Sequence, residues 1–275
     1  MSSRIAVAAV VLAGLTLGAA RPAAAERRLV KHYRRDVPVT AVGVVLYAAA
    51  ELAAKDAVSP ASCRWCAANG LDDGLRTALR WKSPGTPNTL SNLTGFVVAP
   101  VLSLGLLELE AALDDRRADW FHNGLILTET TVLSLSANYL VKAAVGRERP
   151  DVHQLAPADK LLTKHPAENN LSFYSGHSTL AMTLAVAAGT TAHLRGYRHE
   201  WLVWGTTVPV ALATGYLRIA AERHWSSDVL TGWVVGAGFG VAIPYLLHTE
   251  RGEAAPMPVV SRSGGVTSVG LAGAW

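Results

Sequence analysis

Three short clusters in the sequence gather residue types that suit an anion. The first runs Lys142-Ala-Ala-Val-Gly-Arg147-Glu-Arg149-Pro150, with Lys142 and Arg149 seven positions apart. Two helical turns put both cations on one face, and the proline ends the helix. Alone, this is a basic helix end that caps its own carbonyls or meets lipid headgroups. The second is Ser172-Phe-Tyr-Ser175-Gly176-His177-Ser178, immediately before an apolar run. A Ser-Gly-His turn entering a helix offers unpaired backbone N–H groups, close approach at glycine, a hydroxyl and an imidazole. An ordinary helix cap by Ser175 or Ser178 would use the same residues. The third runs from Arg218 to Asp228, with His224 and Asp228 four positions apart. On a helical turn that carboxylate can accept the far N–H of the imidazole, fix its tautomer and sharpen its nucleophilicity. An isolated His-Asp pair is more often an inconsequential surface contact.

Topology separates these readings. An antiparallel up-and-down bundle puts the end of a third helix, the start of a fourth, the end of a fifth and the start of a sixth on one side. The clusters then converge, with Lys142, Arg149 and Arg218 as cations, Ser175 and the Gly176 amide as a cradle, two imidazoles at His177 and His224, and Asp228 as orienting carboxylate. That assortment suits phosphoryl transfer through a covalent phosphohistidine. The reaction needs positive charge on the equatorial oxygens, an in-line nucleophile and an acid for the leaving group.

Lys142 with six residues before Arg149-Pro150, then Ser175-Gly176-His177, then Arg218 with five residues before His224 and three before Asp228, resembles the three-part signature of the type 2 phosphatidic acid phosphatase and vanadium haloperoxidase superfamily. The likeness covers residues 120 to 235. It implies a six-helix bundle in which His224 takes the phosphoryl group, Asp228 orients it and His177 protonates the leaving oxygen. Lys142, Arg149, Arg218, Ser175 and Gly176 would hold the phosphate, with no metal and no cofactor. Two positions depart from the family pattern: Tyr174 stands where proline is usual and Leu217 where serine is usual. Neither removes a group that the chemistry requires, so activity is expected.

The elements that must position these residues are apolar. The chain of 275 residues is 50 % hydrophobic and only 17 % charged, with 25 Lys+Arg against 21 Asp+Glu. This composition excludes a disordered chain, and the small net charge of +4 gives no reason to invoke nucleic acid. Apolar segments at 37–54, 93–113, 122–145, 177–194, 200–221 and 227–248 read as helices. Residues 1–25, with Arg4, an apolar run and Ala23-Ala24-Ala25, read as a secretory signal or an uncleaved anchor. The helical domain then spans 26–250 and a short irregular tail 251–275.

The segments are long enough to span a bilayer, yet Glu51, Glu108, Glu110, Glu129 and Asn138 interrupt them. Membrane embedding is the favoured reading and a soluble periplasmic domain the alternative. The basic connections near Arg116-Arg117 and Arg195-Arg198 share a side with the cluster at 26–35, which is cytoplasmic by the positive-inside tendency. A cleaved signal with six spans would put that side outside, so one of those premises must fail. The expected location is the cell envelope, at the inner membrane with the site facing the periplasm.

Cys63 and Cys66 have redox-motif spacing without the matching strand-helix pattern, so a local disulfide is expected. Glu129 reads as a buried, hydrogen-bonded structural carboxylate. Trp81, Trp120, Trp201, Trp204 and Trp225 sit near segment ends, as an interfacial belt or as core caps. Together these features point to a metal-independent phosphatase acting on a phosphorylated lipid, such as a phosphatidate-type lipid or a polyprenyl diphosphate, or on a small phosphate ester. The rivals are a vanadium-dependent haloperoxidase and a non-catalytic membrane protein that binds anionic headgroups.

Overall fold

The computed structural model describes residues 29–250, 257–263 and 266–272, so the expected leader at 1–25 lies outside the described residues. The apolar runs fold into the long helices α1 (Tyr33–Val58), α3 (Gly85–Leu113), α4 (Trp120–Val145), α5 (Gly176–Arg195), α6 (Glu200–Ala220) and α7 (Ser226–His248), with a shorter α2 (Gly70–Leu79) after the first. The helical class expected from the sequence is borne out. The helix α2 was not expected; it starts where the Asn69 side chain accepts the Asp72 N–H at 2.9 Å. Short π-helical segments interrupt α1 at Ala50–Ala54 and α3 at Thr94–Val98.

Among the described residues, three helices, α1, α3 and α7, are long and apolar enough to cross a membrane. On α1, Val42, Val45, Leu46 and Leu52 are 56 % to 85 % exposed, an outward apolar face that suits lipid and not water. In contrast, α5 is buried nearly all round, because alanines and small polar residues let its neighbours approach from every side.

A close approach to α5 is made by α7. Gly232, Gly236 and Gly240 form one stripe on it, and a Cβ there would lie 2.8 Å from the Ser175 carbonyl, 2.7 Å from the Thr179 carbonyl and 2.7 Å from Val186 respectively. Only glycine lets the two backbones meet this closely. The contact sets the start of α5 beside the start of α7, where the Ser175 N–H donates to the Asp228 carbonyl at 3.1 Å. The end of α4 joins them: Gly146, at φ 60°, terminates that helix and turns the chain into the loop carrying Arg147 and Arg149.

At the opposite end, Glu129 is buried and meets His248 Nε2 at 3.0 Å, the structural carboxylate expected. Among the tryptophans, Trp225 belongs to the core, since it is 2 % exposed and its indole N–H donates to the Glu148 carbonyl at 2.8 Å. Trp120 and Trp201 are exposed. The expected irregular tail, a loop with one short strand, is corrected to two strands: Met257–Ser263 (β1) and Val266–Ala272 (β2) pair antiparallel, with Ser263 opposite Val266. The sequence carries a reason, valine-containing runs separated by the two residues Gly264-Gly265, which is a hairpin spacing.

Candidate active site

Residues of α1 and α3, the ends of α4, α5 and α6 and the connection from α6 to α7 enclose a cavity of about 400 Å³, and Lys142, Arg149, Gly176, His177, Arg218 and His224 all line it. The convergence inferred from bundle topology therefore holds for these six. Each reaches the cavity for a local reason. Lys142 sits in the last turn of α4, and Gly176 stands across from it: a Cβ on this glycine would lie 3.4 Å from the Lys142 Nζ. A larger residue would crowd the ammonium. The Gly176 amide occupies the first position of α5, where no acceptor within the helix exists.

The guanidiniums are held only in part. Arg218 Nη1 donates to Asn88 Oδ1 at 3.0 Å and to Ser91 Oγ at 3.1 Å, while its Nε is buried with no acceptor among the described residues. Arg149 Nη2 lies 3.3 Å from Glu168, and its Nε and Nη1 are likewise buried and unpaired. Buried donors without acceptors are costly, and an oxyanion is the ligand that satisfies several at once. Burial and then neighbouring Arg223 pull the Arg149 pKa down to about 10, so it stays charged at neutral pH.

His224 is 2 % exposed and its Nδ1 lies 2.8 Å from the Ser172 carbonyl oxygen. A carbonyl can only accept, so Nδ1 carries the proton and Nε2 keeps its lone pair. Burial first, then Lys142, Arg218, Arg149 and His177, hold the imidazole well below the usual histidine range. It is a free base at neutral pH. Across the cavity, His177 Nε2 meets Asn92 Oδ1 at 2.9 Å, and its ring packs 4.4 Å, centroid to centroid, from Phe96.

Two expectations need correction. Asp228 does not accept the far N–H of His224: its Oδ2 stands 3.7 Å from Nδ1, which is already committed to the Ser172 carbonyl. The carboxylate instead accepts the Ser172 hydroxyl at 2.5 Å, the Trp225 N–H at 3.0 Å and Arg147 Nη1 at 2.5 Å. As the third residue of α7 reaching back to the residue before the helix, it does the work of a helix cap. Ser175 does not face the cavity either. It is fully buried, accepts the Ser178 N–H and bonds the Ser178 hydroxyl at 2.8 Å, which makes it the cap of α5.

Sequence reasoning missed several cavity residues. Asn88 and Asn92, with Ser91, which holds Arg218 without lining the cavity, come from the first turns of α3, a polar stretch too hydrophilic to be read as part of that helix. Glu168 and Arg223 sit at the rim, where the carboxylate meets Arg223 at 3.0 Å and Lys55 at 2.9 Å. Burial opposes its ionisation, but Arg149, Lys55 and Arg223 outweigh that and bring the Glu168 pKa to about 2. Cys63 and Cys66 are disulfide-bonded in the loop after α1, which lies against the site: the Arg64 N–H donates to the Gly146 carbonyl at 2.9 Å.

The family model of the PAP2 superfamily matches residues 123–251, which bears out the resemblance drawn from the three clusters. All three lie inside the matched span. Among solved structures, the chain is similar to the transmembrane PAP2 type phosphatidylglycerolphosphate phosphatase from Bacillus subtilis, with 20 % identity, coverage of 77 % of this chain and 94 % of that one, and a TM-score of 0.45.

Proposed function

We propose, taking the PAP2 superfamily match of residues 123–251 as premise, that this protein is a phosphatase that hydrolyses phosphate esters without a metal, through a phosphohistidine on His224. The observation that carries the proposal is the single cavity in which a free-base imidazole with a fixed tautomer faces unpaired guanidinium donors.

In the reaction, the phosphate oxygens take the Lys142 ammonium, Arg149 Nε and Nη1, Arg218 Nε and the Gly176 amide. The lone pair on His224 Nε2 attacks phosphorus. The bond from phosphorus to the ester oxygen breaks, and the departing oxygen takes a proton from the imidazolium form of His177, which the negative charge of the bound phosphate stabilises and whose Nε2 leaves Asn92 to meet it. The Ser172 carbonyl stabilises the positive charge gained by the phosphorylated imidazole. Water then gives a proton to His177 and its oxygen to phosphorus, the N–P bond breaks, and the resting state returns with inorganic phosphate released. The arginines act by being in place before charge develops, which is where such sites gain most of their rate.

The substrate we infer is a phosphorylated lipid, of the phosphatidate or polyprenyl diphosphate kind. The outward apolar face of α1 supports this, as does the cavity wall, to which Tyr47 of α1 and Leu135 and Tyr139 of α4 contribute. A cavity of this size takes a phosphate and part of a headgroup and leaves hydrocarbon chains in the bilayer. We place the long helices across the inner membrane with the cavity on the periplasmic side. The disulfide packed against the cavity loop supports that orientation, because such bonds persist in oxidising compartments.

Purified protein assayed with lipid and soluble phosphate esters in EDTA, beside His224→Ala, tests the function. Metal-independent turnover that this change abolishes is expected. Absence of turnover on every ester would favour a headgroup-binding protein. Orientation is tested by protease accessibility of the loop around His165, which is cleaved from the periplasmic face if the reading is right.

A further inference from the structure

The imidazole of His224 is steered through a chain of buried bonds that runs out of the family-matched segment. Ser172 supplies the carbonyl that fixes the ring, and its hydroxyl donates to Asp228. Asp228 Oδ1 is paired with Arg147 Nη1 at 2.5 Å, and Arg147 Nη2 is paired with Asp72 Oδ2 at 2.7 Å. Asp72 lies on α2, outside residues 123–251. Its other oxygen accepts the Ser226 hydroxyl at 2.6 Å and the Ser227 N–H at 2.8 Å, which ties it to the first turn of α7. The three charged side chains are 0 % to 1 % exposed, and the Arg147 guanidinium stacks 4.0 Å from the Trp65 ring centroid.

A buried guanidinium shared by two buried carboxylates is expensive to desolvate and contributes little net stability. Its geometry is nevertheless rigid, because the planar fork satisfies both acids at once. The trio carries one negative charge overall and lies behind a histidine faced by Lys142 of α4, Arg149 of the following loop, His177 of α5 and Arg218 of α6. Asp228 of α7 is the carboxylate nearest its ring in the described residues.

We propose that Asp72 and Arg147 are positioning residues for the nucleophile: the pair fixes Asp228, Asp228 fixes Ser172, and the Ser172 carbonyl holds His224 with its Nε2 lone pair aimed into the cavity. The trio also offsets part of the cationic field on the imidazole. Asp72 thereby ties α2 to the positioning of the nucleophile. This inference rests on the phosphohistidine reading of the same site.

The test is the pH dependence of kcat/KM in Asp72→Asn and Arg147→Gln, with Arg147→Lys as the charge-conserving variant. Asp72→Asn removes a negative charge, so the acid limb moves to lower pH and kcat falls about tenfold as the ring loses basicity and alignment. Arg147→Gln removes a positive charge, so the limb moves to higher pH. Arg147→Lys leaves the limb near the wild-type position while kcat falls, because the charge stays and the fork is lost. A purely structural role would lower kcat in step with thermal stability and move the limbs in no opposed sense. Limbs that stay put, or move together, overturn the proposal. If Arg147→Gln does not fold, the nearly isosteric Asp72→Asn decides alone: an unmoved limb with unchanged kcat refutes it. Wild-type protein without His224-dependent turnover would instead refute the functional reading, and this proposal with it.

Discussion

Replacing Gly236 with alanine should separate α5 from α7 and misalign the cavity, whereas the same change at Gly238, half a turn away, should not. A Cβ at position 236 lies 2.7 Å from the Thr179 carbonyl oxygen and 3.1 Å from Thr183, whereas nothing stands within 4 Å of one at 238. Ordinary contact begins at 3.4 Å, so the helices must part by about 0.7 Å. Both changes gain helix propensity, about 1 kcal/mol each. Overpacking a filled interface costs about 1 to 3 kcal/mol, so Gly236→Ala ends about 1 kcal/mol less stable and Gly238→Ala up to about 1 kcal/mol more stable. Thermal unfolding in one detergent should then show midpoints about 4 to 8 °C apart. The same shift moves His177 of α5 relative to His224, and misplacement approaching 1 Å costs up to about a hundredfold in rate. Gly236→Ala should therefore lose kcat while Gly238→Ala keeps it. Equal melting and equal activity of the two variants would refute the argument that this stripe holds the site together.

Ser175→Ala should cost about 1 kcal/mol of stability through loss of the α5 cap, with KM unchanged; a large rise in KM would return Ser175 to the phosphate cradle. Asn92→Ala should leave KM close to wild type and lower kcat about tenfold, since it frees the ring of His177; unaltered kcat in single-turnover assays would contradict that role. Acid should destabilise the fold in two stages. His224 is held neutral far below the ordinary value of 6.5, so the unfolded chain binds the extra proton first and stability declines as pH drops below that value. Glu168, at about 2 against 4.5, contributes stability that is complete above pH 4.5 and lost as pH falls towards 2, at most about 3 kcal/mol. Melting temperatures of wild type and Glu168→Gln between pH 7 and pH 3 check this, and identical slopes below pH 4.5 would remove Glu168 from the account.

Much of this was legible in the sequence because it is local. Apolar runs place the long helices, and the three clusters place Lys142, Arg149, Gly176, His177, Arg218 and His224 on one cavity. What escaped is non-local or carried by the backbone. The partner of His224 is a carbonyl oxygen, which any residue supplies, so the spacing to Asp228 pointed to the wrong acceptor. Ser175 carries a hydroxyl that suits a cap and an anion equally, and only its burial decides between them. Asn88, Ser91 and Asn92 were hidden by their polarity, which is a defect in an apolar stripe and an asset beside Arg218 and His177. Asp72 had a signal, the Asn-x-x-Asp of a helix start, but its bond to Arg147 crosses 75 positions.

The central claim is that His224 becomes phosphorylated, and the direct measurement is rapid quench of enzyme mixed with a ³²P-labelled lipid phosphate, followed by peptide mapping. The account predicts an acid-labile, alkali-stable label on the peptide containing His224, formed at the rate of the first turnover and missing from His224→Ala. Turnover that proceeds with no label on the protein, or with label on another residue, would contradict it.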